Sequence, residues 1–505
     1  MTDNAAKWPR LLTLASVLLG VSALVLSATN LAATVAARLD FPADLEWMEG
    51  GMLVHVDRLR HGLGLYVPPS ETFIPYIYQP LYPLLLSWLG EPSYAVGRAV
   101  SLCGMAAAAA AMVIVLRQSR APWGIALGTV AVFLSCYDDA GGYFDVVRND
   151  GLSLGLTTWA LLAARQDKPW QRAVGGLLLC AAFATKQNAA LLGLPIALWL
   201  LLARGWRPAL HFTLWAALPA LAFVVWQQVI SHGYYLTYIL AVPASHPMLW
   251  HRFFTEAPLE IFRSAPVAYV LALGLAVWLA RRLRLADAYW PAVLATVVLV
   301  AGVMRAHFGG AVNVMIPGFW AATLGVGLLL NTALAAANQR PRLHLWLAPI
   351  ATLFLLVQTA AGLWDVGRFA PDPQDRAAHA QLVKLVAALD GDVFMPEFPW
   401  VPAQAGKKPS LPLIALWDLI HPGCPLPLGP IAVRAALARH AWPTIITSSK
   451  TTRGFTLLQI GLADAYDRVE QFDLPPQLLR KKSGWQVRPE WIWKPKAPAT
   501  SSPAP

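Results

Sequence analysis

Asp44, Glu46 and Glu49 stand together in DLEWMEGG, directly after a long apolar run. Carboxylates at that spacing, held at a membrane edge, suit a general base or a metal ligand facing a lipid-borne substrate; the plainer reading is a solvated loop. His55, Asp57, Arg58, Arg60 and His61 follow with helical spacing. Further along, Asp138, Asp139, Asp145, Arg148 and Asp150 crowd DDAGGYFDVVRND, Lys186-Gln187-Asn188 interrupts another apolar stretch, and Arg305, His307 and Asn313 occupy RAHFGGAVN. Ionisable groups at a membrane edge are costly unless paired or used. Each has a structural alternative: Asp145 and Asp150 pairing with Arg148, Lys186 snorkelling to the interface, His307 and Asn313 capping helix ends. Trp47, beside the acids, is a candidate platform for stacking a sugar.

The elements that must position these residues are set by composition. The chain has 505 residues, 57% hydrophobic and 13% charged, with a mean hydropathy of +0.50. That excludes a disordered, fibrous or ordinary soluble protein. The net charge of +11 falls in short clusters between apolar runs, which reads as membrane topology and not as a nucleic-acid surface. Cys103, Cys136, Cys180 and Cys424 show neither CxxC nor CxxH spacing, so no disulfide framework and no zinc site is expected. The nearest approach to a nucleotide fingerprint, AGKKP at 405–409, lacks the phosphate-loop pattern, which disfavours a nucleotide-sugar donor.

Apolar segments at 11–36, 95–116, 122–137, 150–164, 172–186, 189–203, 209–230, 266–280, 288–304, 311–337 and 344–363 predict about eleven transmembrane helices. The clusters Arg117/Arg120, Arg165/Lys168/Arg172, Arg204/Arg207, Arg281/Arg282/Arg284 and Arg340/Arg342 fall on every second loop if Lys7 and Arg10 are cytoplasmic. The first run exceeds the ~7–15 residues of a signal-peptide core and predicts a retained helix. Tyr78–Gly90, short and broken by Pro80 and Pro83, predicts a helix lying on the outer membrane surface. This puts 37–94, 138–150, Lys186–Asn188, 231–265, 305–313 and everything after Trp364 outside. Residues 1–364 then form the membrane domain and 365–493 a small α/β periplasmic domain, with helices near 375–389 and 431–440 and strands near 392–397 and 443–449. Residues 494–505 read as a disordered tail. No internal repeat is visible, which argues against an inverted-repeat transporter or lipid flippase, the main rival reading.

The layout resembles the GT-C membrane glycosyltransferases, in particular the branch with the protein O-mannosyltransferases and the lipid A aminoarabinose transferase. The resemblance rests on the acidic first loop, the aromatic and proline-rich FIPYIYQPLYPLLLSWLG, the arginine of SYAVGRAVSL (Arg98), the acidic tip FDVVRNDGLSL and a C-terminal outward domain, and covers roughly 8–365. It implies transfer of a sugar, with inversion, from a polyprenyl-phosphate donor to an acceptor hydroxyl on lipid, glycan or protein at the outer face of a bacterial inner membrane. Members usually carry adjacent Asp-Glu in the first loop; here Asp44 and Glu46 are spaced by one, so Glu46, Asp44 and Glu49 all stay candidates for the base.

The donor phosphate must sit at headgroup level, where only cations at the outer ends of spans can reach it. Arg148, Lys186 and Arg305 are the leading candidates, with His307 beside them, Asp145, Asp150, Gln187 and Asn313 as further substrate-binding residues, and Arg58 and Arg60 as the fallback. The sequence specifies no cofactor, and the acids leave room for a divalent cation.

Overall fold

The computed structural model describes residues 3–266, 269, 288–337, 341–449, 457–471, 475 and 477–497. The chain is a bundle of apolar helices carrying a small sheet at its C-terminal end, as expected of a polytopic membrane protein. Six helical stretches among the described residues are long and apolar enough to cross a bilayer: Trp8–Arg38, Tyr94–Gln118, Gln187–Arg204, Trp206–Ile230, Tyr289–Ala306 and Val312–Ala337. Shorter apolar helices pack between them. Ten of the eleven apolar segments coincide with helices, and the remaining one, 266–280, lies almost wholly outside the described residues.

The helices that frame the site are α1 (Asp3–Arg38), α2 (Glu49–Arg60), α3 (Leu81–Leu89), α4 (Tyr94–Gln118), α5 (Trp123–Ser135), α6 (Asn149–Ala164) and α7 (Pro169–Thr185). Small residues let them approach closely. A Cβ on Gly104 of α4 would lie 2.2 Å from the Gly151 carbonyl of α6, and one on Gly20 of α1 would lie 2.6 Å from the Gly124 carbonyl of α5. The Ala106–Ala111 run belongs to the same packing, since Trp320 Nε1 donates to the Ala108 carbonyl at 3.0 Å. Trp215, Leu218, Leu221 and Val225 of Trp206–Ile230 stay exposed, as side chains facing lipid would.

The nine-residue α3 is about 13 Å long at 1.5 Å per residue, far short of the ~30 Å hydrocarbon core. Tyr82 ties it to α4 by donating to the Gly97 carbonyl at 2.8 Å, while Trp88 and Leu89 project outward.

After α1–α7 and the later bundle helices, the C-terminal part contains the helices Asp375–Ala388 and Leu428–Ala438 and a four-stranded sheet. Its strands are β1 (Val393–Phe394), β2 (Thr444–Thr447), β3 (Tyr466–Gln471) and β4 (Trp491–Pro495), in the order β1-β2-β4-β3. β1 and β2 are parallel and the other pairings antiparallel. Leu382 and Val386 pack on Val393, Met395, Ile446 and Ile492. β4 takes in Lys494 and Pro495, so ordered chain continues past the start of the tail placed at 494. Residues 498–505 lie outside the described residues.

Candidate active site

The first-loop acids are all buried, and their partners differ. Glu49, at the start of α2, receives Arg98 Nε at 3.0 Å on one oxygen and Nη2 at 2.9 Å on the other. The backbone N–H groups of Leu45 and Val147 also donate to it. Burial alone would raise this carboxyl, but the Arg98 guanidinium and the backbone donors outweigh it and hold Glu49 below the usual carboxylate range. Arg98 Nη1 in turn donates to the Arg38 and Phe41 carbonyls, so α1, the first loop and α4 are joined at one node.

Asp44 accepts from Tyr94 Oη at 2.7 Å and from Lys481 Nζ at 2.6 Å. Lys481 belongs to a strap, 481–485, that returns from the C-terminal part. The Lys482 and Ser483 N–H groups donate to the Leu45 carbonyl, Ser483 Oγ donates to the Gly142 carbonyl, and Trp485 meets Trp47 edge-on at 5.0 Å.

Glu46 is the least satisfied of the three. It accepts from the Met48 N–H at 3.0 Å, and longer contacts reach it from Arg148 Nη1 at 3.3 Å and Tyr143 Oη at 3.4 Å. Burial pushes its carboxyl up to about 7, against the opposing pull of Arg148 and the Met48 N–H. A carboxyl poised there can take a proton near neutral pH.

Arg148 connects this acid to the head of α6. Its Nε reaches Asp150 at 3.2 Å and its Nη2 reaches Tyr78 Oη at 3.1 Å, and it lies between the Tyr78 and Tyr143 rings. Asp150 also accepts from Lys186 Nζ at 2.6 Å and from Asn313 Nδ2 at 3.1 Å. Asp150 and Lys186 also border a small cavity of about 40 Å³ whose lining mixes Leu154, Leu161, Leu192, Val297, Val300 and Trp320 with Ser153, Thr157, Thr158 and Asn188.

This architecture has counterparts among solved structures. The chain is similar to ArnT from Cupriavidus metallidurans bound to undecaprenyl phosphate, at 11% identity and a TM-score of 0.56 over 95% of this chain and 99% of that one. Against the apo form of that protein the values are 12%, 0.59, 93% and 97%. An apo oligosaccharyltransferase from Archaeoglobus fulgidus is similar at 11% identity and a TM-score of 0.50, over 86% of this chain and 70% of that one. The chain has the GT-C fold. No family model and no curated protein matches the sequence.

Within the GT-C fold, Asp44, Glu46, Glu49, Arg148, Asp150, Lys186 and Asn313 share one connected network, with Trp47 at its edge on Trp485. Gln187 borders it through a hydrogen bond to the Ile77 carbonyl at 3.1 Å. Asp145 does not pair with Arg148; it binds Arg38 at 2.7 Å and Tyr137 Oη at 2.9 Å. Arg305 stands apart, held by Glu256 at 2.6 Å and Glu260 at 2.8 Å. His307 packs 5.0 Å from His246. Arg58 donates to the Gly64 carbonyl and covers the Phe73 ring, and Arg60 pairs with Glu91, both away from the network. Among the described residues no three His, Cys, Asp or Glu side chains are grouped to hold a metal ion.

Sequence reasoning did not single out Lys481, Tyr78, Tyr143 or Gly484 for this site. A signal existed for Lys481: Arg480-Lys481-Lys482 is a cationic triplet in a part read as outward, where positive charge is unusual.

Proposed function

We propose that this protein is a membrane glycosyltransferase that moves a sugar from a polyprenyl-phosphate donor to an acceptor hydroxyl, with inversion and with Glu46 as general base. The observation that carries the reading is the adjacency of a carboxyl poised near 7 to the Arg148–Asp150–Lys186 cluster at the edge of a small cavity. Similarity to an ArnT structure bound to undecaprenyl phosphate supports the donor class.

In this mechanism the donor phosphate meets Lys186 and Arg148 at the edge of the cavity that Asp150 and Lys186 border. The acceptor oxygen attacks the anomeric carbon, and its proton passes to Glu46. The bond from that carbon to the phosphate oxygen breaks, the electron pair leaves with the phosphate, and the two cations stabilise the developing charge. Glu49 and Asp44 hold the loop that presents Glu46; they are positioning residues.

The alternation of basic loops supports a cytoplasmic N-terminus in a bacterial inner membrane, with the first loop and the C-terminal sheet in the periplasm. Reporter fusions at Arg120 and Ser449 should read opposite sides, and the same side at both would overturn this orientation. The activity is tested by incubating purified protein with labelled polyprenyl-phosphate sugars and a membrane extract as acceptor source. Donor consumption that disappears in Glu46→Gln is expected; no consumption across pentose and hexose donors would reject the reading.

A further inference from the structure

A second polar cluster lies where the C-terminal part meets the bundle. His246 is buried, and its Nε2 donates to the Asp418 carbonyl at 2.8 Å. That bond leaves Nδ1 as a bare acceptor, and Nδ1 has no partner. The His421 ring lies 4.7 Å from His246, and its buried Nε2 is also unpartnered. The Asp418 side chain is 5% exposed, and among the described residues no hydrogen bond or ion pair engages its carboxyl. Trp417, partly exposed, stacks on Phe308 at 5.1 Å and meets His421 edge-on at 4.8 Å. Tyr78, whose hydroxyl contacts Arg148, lies within the electrostatic reach of Asp418 as well as of Asp150 and Glu46.

Buried polar groups are ordinarily paired, and each one left unpaired costs about 1–3 kcal/mol. Two neighbouring ring nitrogens left in this state, beside an aromatic ring and the Asp418 carboxyl, call for a ligand that supplies hydrogen-bonding groups. We infer that Trp417, Asp418, His421 and His246 form the subsite that holds the acceptor, and that the acceptor presents a neutral, polyhydroxylated sugar ring. This rests on the transferase reading above. The charge state of the cluster agrees with it. Burial pushes the Asp418 carboxyl well above its ordinary range and pulls His246 down to about 4, with His307 and His421 also lowered, so burial disfavours charge throughout the cluster. Hydroxyls suit such a site better than a phosphate or a charged peptide side chain.

The test is saturation-transfer NMR on the full chain in lipid nanodiscs. The probes are methyl glycosides of glucose, galactose and mannose, N-acetylglucosamine, and a short serine- and threonine-containing peptide. Saturation of at least one glycoside is expected, weakened tenfold or more by His421→Phe and by Asp418→Leu. It should be kept in Asp418→Asn, because an amide keeps the size of the side chain and still donates and accepts hydrogen bonds, and in Glu46→Gln. Saturation of the peptide alone, of no glycoside, or of glycosides equally in all variants would overturn the inference. Donor consumption measured on the same preparations separates the two failures. Donor consumed without glycoside binding refutes the acceptor assignment alone, and glycoside binding without donor consumption refutes the transferase reading.

Discussion

The backbone N–H of Glu49 donates to the carbonyl of Glu46 at 3.1 Å, so two carboxylates one turn apart share a single loop and are nevertheless shifted in opposite directions. Arg98 grips one with two nitrogens, while the other accepts the Met48 N–H and has only longer contacts with Arg148 and Tyr143. The difference separates a residue that holds the loop together from one free to exchange a proton.

Replacing Glu46 by Gln keeps the size of the side chain and removes the proton acceptor. Transfer should fall by ~10²–10⁴-fold, the usual range for a lost general base. Thermal unfolding should be unchanged or shifted slightly upward, because an amide is cheaper to bury than a carboxylate. A variant that keeps near-normal turnover would remove Glu46 from the mechanism.

The pH dependence has a definite sign. Glu46 must be ionised to accept a proton, so activity should climb with pH through a midpoint near 7. Arg148 lowers that value, and Arg148→Ala should move the midpoint upward. Bound donor phosphate offsets the same guanidinium, so the limb in kcat should lie above the limb in kcat/KM. A wild-type profile flat between about pH 6 and 8 is incompatible with a base of this kind.

Glu49→Gln and Arg98→Ala should unfold the protein more readily. Removing one member of a buried pair costs ~3–5 kcal/mol, which detergent thermal melts would register as a large drop. Because Glu49 is held below its ordinary value of 4.5, its contribution is present above that pH and lost as the medium becomes more acid. The wild type should therefore lose stability on acidification more steeply than Glu49→Gln. Equal slopes would mean that Glu49 is not the stabilising carboxylate.

Donor capture should depend on Lys186 and not on Arg305. A charged hydrogen bond contributes ~1.5–3 kcal/mol, so Lys186→Ala should weaken binding of polyprenyl phosphate at least tenfold in a direct binding assay. Arg305, already held by Glu256 and Glu260, should be replaceable by Ala with no change in that affinity. The reverse ranking would move the phosphate site to the other tip.

Gly484 tests the strap. Its φ of +66° favours glycine, and an added Cβ would lie 2.3 Å from Tyr143 Oη and 3.2 Å from Glu46 Oε1. Gly484→Ala should lower turnover while leaving polyprenyl-phosphate binding intact, since Lys186 and Asp150 are not touched. Loss of both together would indicate general misfolding.

The apolar runs, the short helix after Pro80 and the cluster of first-loop acids were legible in the sequence because each is local. The roles within that cluster were not, since Glu49 takes its character from Arg98 in α4 and Glu46 from Arg148 before α6. Asp150, Lys186 and Asn313 each stood out alone, but only the packing of separate helices joins them on one carboxylate. Arg305 looked available because Glu256 and Glu260, its partners, sit in a stretch read as a featureless loop. The strands β3 and β4 were missed for a related reason: YDRVEQ is mostly polar, with five of its six residues exposed, and WIWKP runs directly into the proline-rich end.

The Asp44–Lys481 bond spans 437 positions of the chain, which has a consequence for how the protein is made. The loop bearing Glu46 is among the first segments to leave the ribosome, and the strap that steadies it is among the last. During synthesis and insertion the acids must wait, uncovered, until the late segment reaches the same side of the membrane. A chain stalled or truncated before Lys481 would carry the described helices of the bundle and still lack the strap that steadies the loop bearing Glu46.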